Sequence, residues 1–385
     1  MSIWHKTKFG EICREVNLST KNPIIDGYER YIGLEHLDSG SLKINRWGII
    51  AKDNPSFTRV FKKGHILFGK RRSYLKKAAL AEFDGICSGD ILVLEPKENT
   101  VSTDYLSRII HTDYFWDWAI KTSSGSLSPR TKFSALKDLQ LTIANLNRQS
   151  AVVNILDRVD QTFSLKEHCL SSAEKMFCTL MFKEIWKTDS SLREYKIEAL
   201  GEIKLGRQRS PKYTKGLNSK PYLRVVNVLD GELDFDDVEQ MDFNEKDYEN
   251  HKLLPKDILI TEGDITSIFN VGRSAMYNGE IDNCCIQNTL IRFRCGPLII
   301  PEFALYLFRC AYYKRIFAYA ANVTTVAHLG VGRFGAIKLS IPSIEKQRGI
   351  VERLSAANEI VNNLRTGLTS KNSFRRAMSA GLMET

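Results

Sequence analysis

The sequence of 385 residues predicts an α+β protein built twice over. Two homologous mixed α/β domains alternate with two long helices, and the helices pair antiparallel as a two-stranded coiled coil. The phrase NRQSAVVNILDRVDQTFSLK at 147–166 returns as EKQRGIVERLSAANEIVNNLR at 345–365. Shorter matches then recur in the same order: YIGLEHLDSGSL from Tyr31 with YLRVVNVLDGEL from Tyr222, HILF from His65 with DILI from Asp257, and SGDILVL from Ser88 with QNTLIRF from Gln287. Apolar residues on the two helical phrases recur at steps of three and four, the mark of a narrow seam rather than a broad globular face.

The repeat is far longer than a solenoid unit of about 20–50 residues, so each copy can bury its own core. Residues 1–146 form the first domain, 147–187 the first helix, 188–342 the second domain and 343–385 the second helix, a pseudo-twofold internal repeat. In the first domain a short amphipathic N-terminal helix precedes the β-rich runs GHILF, DILVLEP and LQLTI, with a further helix near Tyr105–Ile120. DSG at Asp38 and FDG at Phe83 mark turns, and DG at Asp230 and NG at Asn278 repeat the plan. The first seam runs Val152, Leu156, Val159, Phe163, Leu170, Ala173, Phe177 and Leu180, and the second Ile350, Leu354, Ala357, Val361, Leu364 and Leu368. A helix of ~35 residues spans about 50 Å and with one polar side needs a partner. Each seam is the other's simplest partner.

The net charge of +10 and pI near 9.1 favour a polyanionic partner. The charge is localised. Arg59–Lys77 holds eight basic residues without an acid, and Lys204–Arg224 seven, whereas Asp230–Glu249 holds ten acids against Lys246 alone. That acidic segment is expected to face solvent or a protein partner. A hydrophobic content of 43% excludes a disordered basic tail. No apolar run reaches the roughly 20 residues of a membrane span, and the N-terminus lacks a signal-like apolar stretch. Eight scattered cysteines without a CxxC pair read as reduced thiols of a cytoplasmic protein.

Catalytic motifs are wanting. GVGRFG at Gly330–Gly335 matches GxGxxG but precedes the strand-like AIKLSIP, so its glycines serve a turn or a close approach to phosphate. There is no P-loop, the histidines form no HxxxH or HExxH pair, and no metal site is expected. ITEGD at Ile260–Asp264 reads as salt-bridged strand ends rather than a metal nuclease site.

IPSIEKQRGIVERL, from Ile341 to Leu354, resembles the signature that closes each target-recognition domain in specificity subunits of type I restriction-modification systems. IANLNRQSAVVNILD, from Ile143, is similar to a degenerate first copy, and SFRRAMSAGLMET to the family's helix end. The resemblance implies a subunit without catalytic activity and without a cofactor of its own. S-adenosylmethionine, ATP and magnesium would belong to two methyltransferase and two motor-nuclease partner subunits. It further implies two target-recognition domains, each reading one half of a bipartite double-stranded DNA sequence, with the paired helices as the ruler between them and the seat of the methyltransferases. Major-groove faces on one side of a duplex lie about 34–36 Å apart, within reach of such helices.

The expected DNA-binding residues of the first domain are Lys70, Arg71, Arg72, Ser73, Tyr74, Lys76 and Lys77, just past a strand, with Ser126 and Arg130 of SSGSLSPR. In the second they are Arg207, Arg209, Lys212, Tyr213 and Lys215, then Thr266, Ser267 and Asn270, and Thr324, Thr325, His328 and Arg333. Arg and Lys suit phosphate neutralisation or guanine O6 and N7. Competing readings are a specificity chain whose partner fuses methylation and cleavage, a self-contained DNA methyltransferase or nuclease, and an RNA-binding or purely structural coiled coil. No Asn/Asp-Pro-Pro-Tyr-like motif supports the enzyme.

Overall fold

The computed structural model describes residues 4–187, 191–210, 216–264, 267–323, 327–369, 373–374 and 377. It divides into two compact units, residues 1–168 with 366–385 and residues 169–365.

In the first unit the chain opens as a strand, Trp4–Lys8, not as the expected amphipathic helix. Only one helical turn, Phe9–Ile12, follows. The strand pairs antiparallel with Gln140–Ala144, Trp4 facing Ala144, so a pairing over a long sequence separation overrides the local pattern. A four-stranded antiparallel sheet follows in the order Cys13–Glu15, Ile91–Pro96, Ile66–Gly69, Ala78–Leu80. Beside it, Arg30–Ile32 pairs parallel with Gly85–Cys87 in a five-stranded sheet. The helical stretch expected near Tyr105–Ile120 is two helices, Thr103–Ile110 and Asp113–Lys121. Thr112 breaks it, because its side chain caps the second helix by accepting from the Phe115 N–H. Phe9, Phe68, Phe115 and Trp116 fill the core between helices and sheet, with Phe68 and Trp116 stacked at 5.1 Å.

The second unit repeats the two-stranded and four-stranded sheets of this plan, while the counterpart of the five-stranded sheet has three strands among the described residues. Arg193–Lys196 pairs with Lys338–Ile341. The four-stranded sheet runs Gly201–Leu205, Leu290–Cys295, Asp257–Thr261, Ser274–Tyr277. Ser219–Leu223 pairs parallel with Cys285–Ile286, placing Tyr222 where Tyr31 stands in the first unit. The repeat read from the sequence is therefore a repeat of topology.

The first long helix is a single element of 40 residues, Leu146–Ile185, and the second runs Ile344–Thr369. Every apolar seam position is buried or half-buried, while Lys166, which fills one position of the first seam, is exposed. Within the second unit Phe177, Met181 and Ile185 share a core with Ile350, Leu354 and Val361. Glu184 pairs with Arg353 at 2.6 Å and Glu174 with Arg365 at 2.9 Å, which fixes an antiparallel register. In the first unit Phe163 meets Phe374, with ring centroids 6.1 Å apart.

Each helical phrase begins with a buried glutamine that clamps three pieces of backbone. Gln149 Oε1 accepts from the Ser102 N–H at 2.8 Å while its amide donates to the carbonyls of Ala144 at 3.0 Å and Thr100 at 3.4 Å. Gln347 Oε1 accepts from the Ile300 N–H at 2.9 Å and donates to Pro342 at 2.9 Å and Leu298 at 3.0 Å. Both are fully buried. Each one ties the end of the last strand and the loop entering the first long domain helix to the start of the outgoing helix. Arg108 adds a second tie in the first unit by pairing with Asp157 and Asp160. Replacing Gln347 by Ala leaves three buried groups unpaired and is expected to cost about 2–4 kcal/mol. Chemical denaturation of the variant against wild type measures this, and an unchanged midpoint would deny the clamp its role.

Candidate nucleic-acid interface

In the first domain the structure brings the two sequence-predicted loops together. Strand Ile66–Gly69 ends in Lys70, whose carbonyl accepts from the Thr131 N–H at 2.9 Å. Ser124 and Arg130 exchange backbone hydrogen bonds, closing a hairpin, and Arg71 bridges to Arg130. Arg72 and Lys76 both adopt left-handed backbone conformations, at φ 55° and 47°. The Arg72 N–H donates to the Pro129 carbonyl at 2.7 Å.

Not every basic residue here is available. Lys76 pairs with Asp113 at 2.6 Å, and Lys77 donates to the Leu34 carbonyl at 2.7 Å. Ser73 is buried and hydrogen-bonds Thr131 at 2.6 Å, so it builds the loop instead of presenting a hydroxyl. Arg71 and Arg130 share Asp90, at 3.5 and 2.9 Å. Burial alone would raise the Asp90 carboxyl, but the Arg130 hydrogen bond and the charges of Arg130, Arg71 and Lys70 hold it below its usual range. Among the described residues, the side chains of Lys70 and Arg72 have no acidic partner. Tyr74 is exposed beside them, and Ser126 lies on the exposed hairpin tip.

The second domain assembles the same constellation with different side chains. Thr261 occupies the place of Gly69, so Glu262 stands where Lys70 does, and its carbonyl accepts from the Leu329 N–H at 2.8 Å. Asn322 pairs with His328 as Ser124 does with Arg130, and Gly263 faces His328 as Arg71 faces Arg130. His328 is thus the structural counterpart of Arg130. Its Nδ1 lies 2.8 Å from Glu262 Oε2, and the Gly330 N–H donates to Oε1 at 3.2 Å. Arg333 folds back onto the carbonyls of Leu329 and His328. Gly330, at φ 68°, starts a short helix over Val331–Ala336, so the GVGRFG glycine serves a turn. Ser267 caps the turn Ile268–Asn270 through the Phe269 N–H. Phe269 is half-exposed, with the Arg315 guanidinium 4.3 Å from its ring centre. Phe269 and Arg315 carry no sequence signal as site residues, and Glu262 reads in the sequence only as part of the salt-bridged strand ends of ITEGD. Lys212, Tyr213, Lys215, Thr266, Thr324 and Thr325 lie outside the described residues.

Among the described residues of the basic stretch Lys204–Arg224, the three arginines are neutralised. Arg207 is buried, pairs with Asp247 at 2.8 Å and covers the Phe243 ring at 5.0 Å. Arg209 reaches Glu239 at 3.3 Å, and Arg224 reaches Asp237 and Glu239 at 2.7 and 3.2 Å. Three of the ten acids in the segment expected to face solvent or a partner, Asp237, Glu239 and Asp247, are counter-charges of its own domain's basic stretch, while Glu232, Asp236, Glu245 and Glu249 are exposed. ITEGD is a set of paired strand ends as expected, with neighbouring Asp257 held by Arg294 at 2.7 Å.

Burial pushes the thiols of Cys87, Cys284, Cys285, Cys295 and Cys310 up to about 12, and all eight cysteines are free. Among the described residues no cluster of His, Cys, Asp and Glu could hold a metal ion, and no helix is long and apolar enough to cross a membrane.

Two strand-rich domains of one topology, each closed by a glutamine-clamped helix and topped by a paired-loop platform, define a duplicated specificity-domain protein. The model for the type I restriction modification DNA specificity domain matches residues 2–175 and 191–370, and the chain belongs to that family. Over 162 residues it is 27% identical to the type I restriction enzyme EcoDI specificity subunit of Escherichia coli, spanning 42% of this chain and 35% of that one. The match thus covers only about a third of that curated relative. The fold extends along the whole chain in two solved structures. One describes complex assembly and conformational transition of the type I R-M system (TM-score 0.70, 17% identity, covering 98% of this chain and 97% of that chain). The other is the HsdS subunit from Thermoanaerobacter tengcongensis (0.52, 18%, 99% and 96%).

Because Arg207 is an interior residue, Arg207→Ala should destabilise the chain by about 3–5 kcal/mol, as expected when one partner of a buried pair is removed. Arg72→Ala at the exposed tip should leave stability within ~0.5 kcal/mol of wild type. Thermal unfolding of the two variants side by side checks the contrast.

Proposed function

We propose that this chain is the DNA-sequence specificity subunit of a type I restriction-modification complex and carries no catalytic step itself. Each domain reads one half of a bipartite duplex target through its paired-loop platform, and the antiparallel helices set the spacing. Two methyltransferase subunits dock on those helices and two motor-nuclease subunits join for cleavage. S-adenosylmethionine, ATP and magnesium act on the partners.

The observation that carries this reading is the doubled platform: equivalent backbone bonds in both domains present unlike side chains, Lys70, Arg71 and Arg130 in one, Glu262, Gly263 and His328 in the other. A protein binding one repeated ligand would keep these positions alike. A reader of an asymmetric sequence must vary them over a constant frame, since base edges and not phosphates carry sequence information. The exposed Leu165 and Met176 on the first long helix suit a protein partner.

Methylome sequencing of cells carrying this chain with its cognate methyltransferase should reveal a two-part motif with an unspecified gap. A continuous motif, or none, would sink the proposal. Lys70→Ala and Arg72→Ala should each lower the magnitude of the log–log salt slope of DNA binding by about 0.9 if that residue contacts a phosphate. Lys77→Ala, whose ammonium is held by the Leu34 carbonyl, should leave it unchanged.

A further inference from the structure

Arg130 and His328 occupy one place in the duplicated fold, and each is gripped by a carboxylate from a neighbouring loop. Asp90 holds Arg130 through Nε at 2.9 Å. Glu262 holds His328 through Nδ1 at 2.8 Å. In both pairs the acid is the more buried member, 22% against 48% exposed for Asp90 and Arg130, and 11% against 52% for Glu262 and His328. The acids therefore anchor and the bases project. What projects is defined by what the anchor takes. With Nε committed, Arg130 keeps the paired donors of its Nη atoms, and no described residue occupies them. With Nδ1 facing the Glu262 carboxylate, this contact selects the tautomer that leaves Nε2 as the projecting acceptor, and no described residue satisfies Nε2.

Gly263 makes the second arrangement possible. A Cβ at that position would stand 3.0 Å from the His328 Nδ1 and 3.0 Å from the Ala327 carbonyl oxygen, so the ring or the strand would have to give by a few tenths of an ångström and loosen the grip on Glu262. In the first domain the same place carries Arg71, which joins Arg130 on Asp90.

We infer that Asp90 and Glu262 are positioning residues that aim Arg130 and His328 at one base pair in each half-site: Arg130 at guanine O6 and N7, His328 through Nε2 at the exocyclic amino group of adenine or cytosine. This rests on the specificity-subunit reading and assigns chemistry within it. The fork of Arg130 fits the two acceptors of guanine, while a lone acceptor fits an amino donor in the major groove.

The test uses the full chain assembled with its cognate methyltransferase. His328→Ala should relax the methylated motif at one position of one half-site, and Arg130→Ala at one position of the other, with about ten-fold less discrimination there. Glu262→Ala and Gly263→Ala should relax the same position as His328→Ala, and Glu262→Gln, which still accepts from Nδ1, should retain it. A merely structural role would weaken all sequences alike. At the position found, replacing adenine by purine, or cytosine by 2-pyrimidinone, removes the amino group. Binding should fall about ten-fold for wild type and not for His328→Ala. An unchanged motif in His328→Ala, or indifference of the wild type to the missing amino group, overturns the assignment. A wild-type complex with no sequence preference overturns the underlying reading as well.

Discussion

The glutamine at the head of each long helix is the constraint on which the rest of this chain depends. One side-chain amide, fully buried, satisfies a strand end, a loop carbonyl and a loop N–H together. None of these groups has a cheap alternative, since an unpaired buried amide costs more than the hydrogen bond itself is worth. Each helix therefore leaves its own domain in a fixed direction. This also answers why the helical phrase survives duplication while the domains drift. An identical joint is a reason that the structure makes explicit.

Around that joint the charges sort themselves by neighbour rather than by sequence run. The arginines of the second domain's basic stretch are spent on Glu239, Asp237 and Asp247 of the acidic segment that follows it. In the first domain Lys76 and Lys77 serve loop architecture in the same way. A net charge of +10 is thus a poor map of where a polyanion would lie. At the platform loops, by contrast, Lys70 and Arg72 have no acid within ion-pair distance among the described residues and lie beside exposed Tyr74.

Much of this was legible in the sequence, for reasons of period. A repeat registers through many weak matches in one order, and a seam of Val152, Phe163, Phe177, Leu354 and Val361 announces itself through steps of three and four. What escaped depends on pairing across long separations. Trp4–Lys8 looks helical until Gln140–Ala144 lies beside it. Asp90 and Glu262 look like ordinary acids until the hairpins at Arg130 and His328 fold over them. Arg207 reads as a surface cation until Phe243 and Asp247 enclose it. The equivalence of Arg130 with His328 could not be found by aligning letters, because neither the residue nor its anchor is the same type.

The left-handed backbone of Arg72 and Lys76 has a further consequence. Side chains with a Cβ occupy that region at a cost of roughly 1–2 kcal/mol, and here the Pro129 carbonyl helps to hold the tip in place. The ordering of that segment is settled during folding, so its conformational entropy is already spent. A tip stiffened in advance reshapes itself less around whatever touches it than a freely moving loop would.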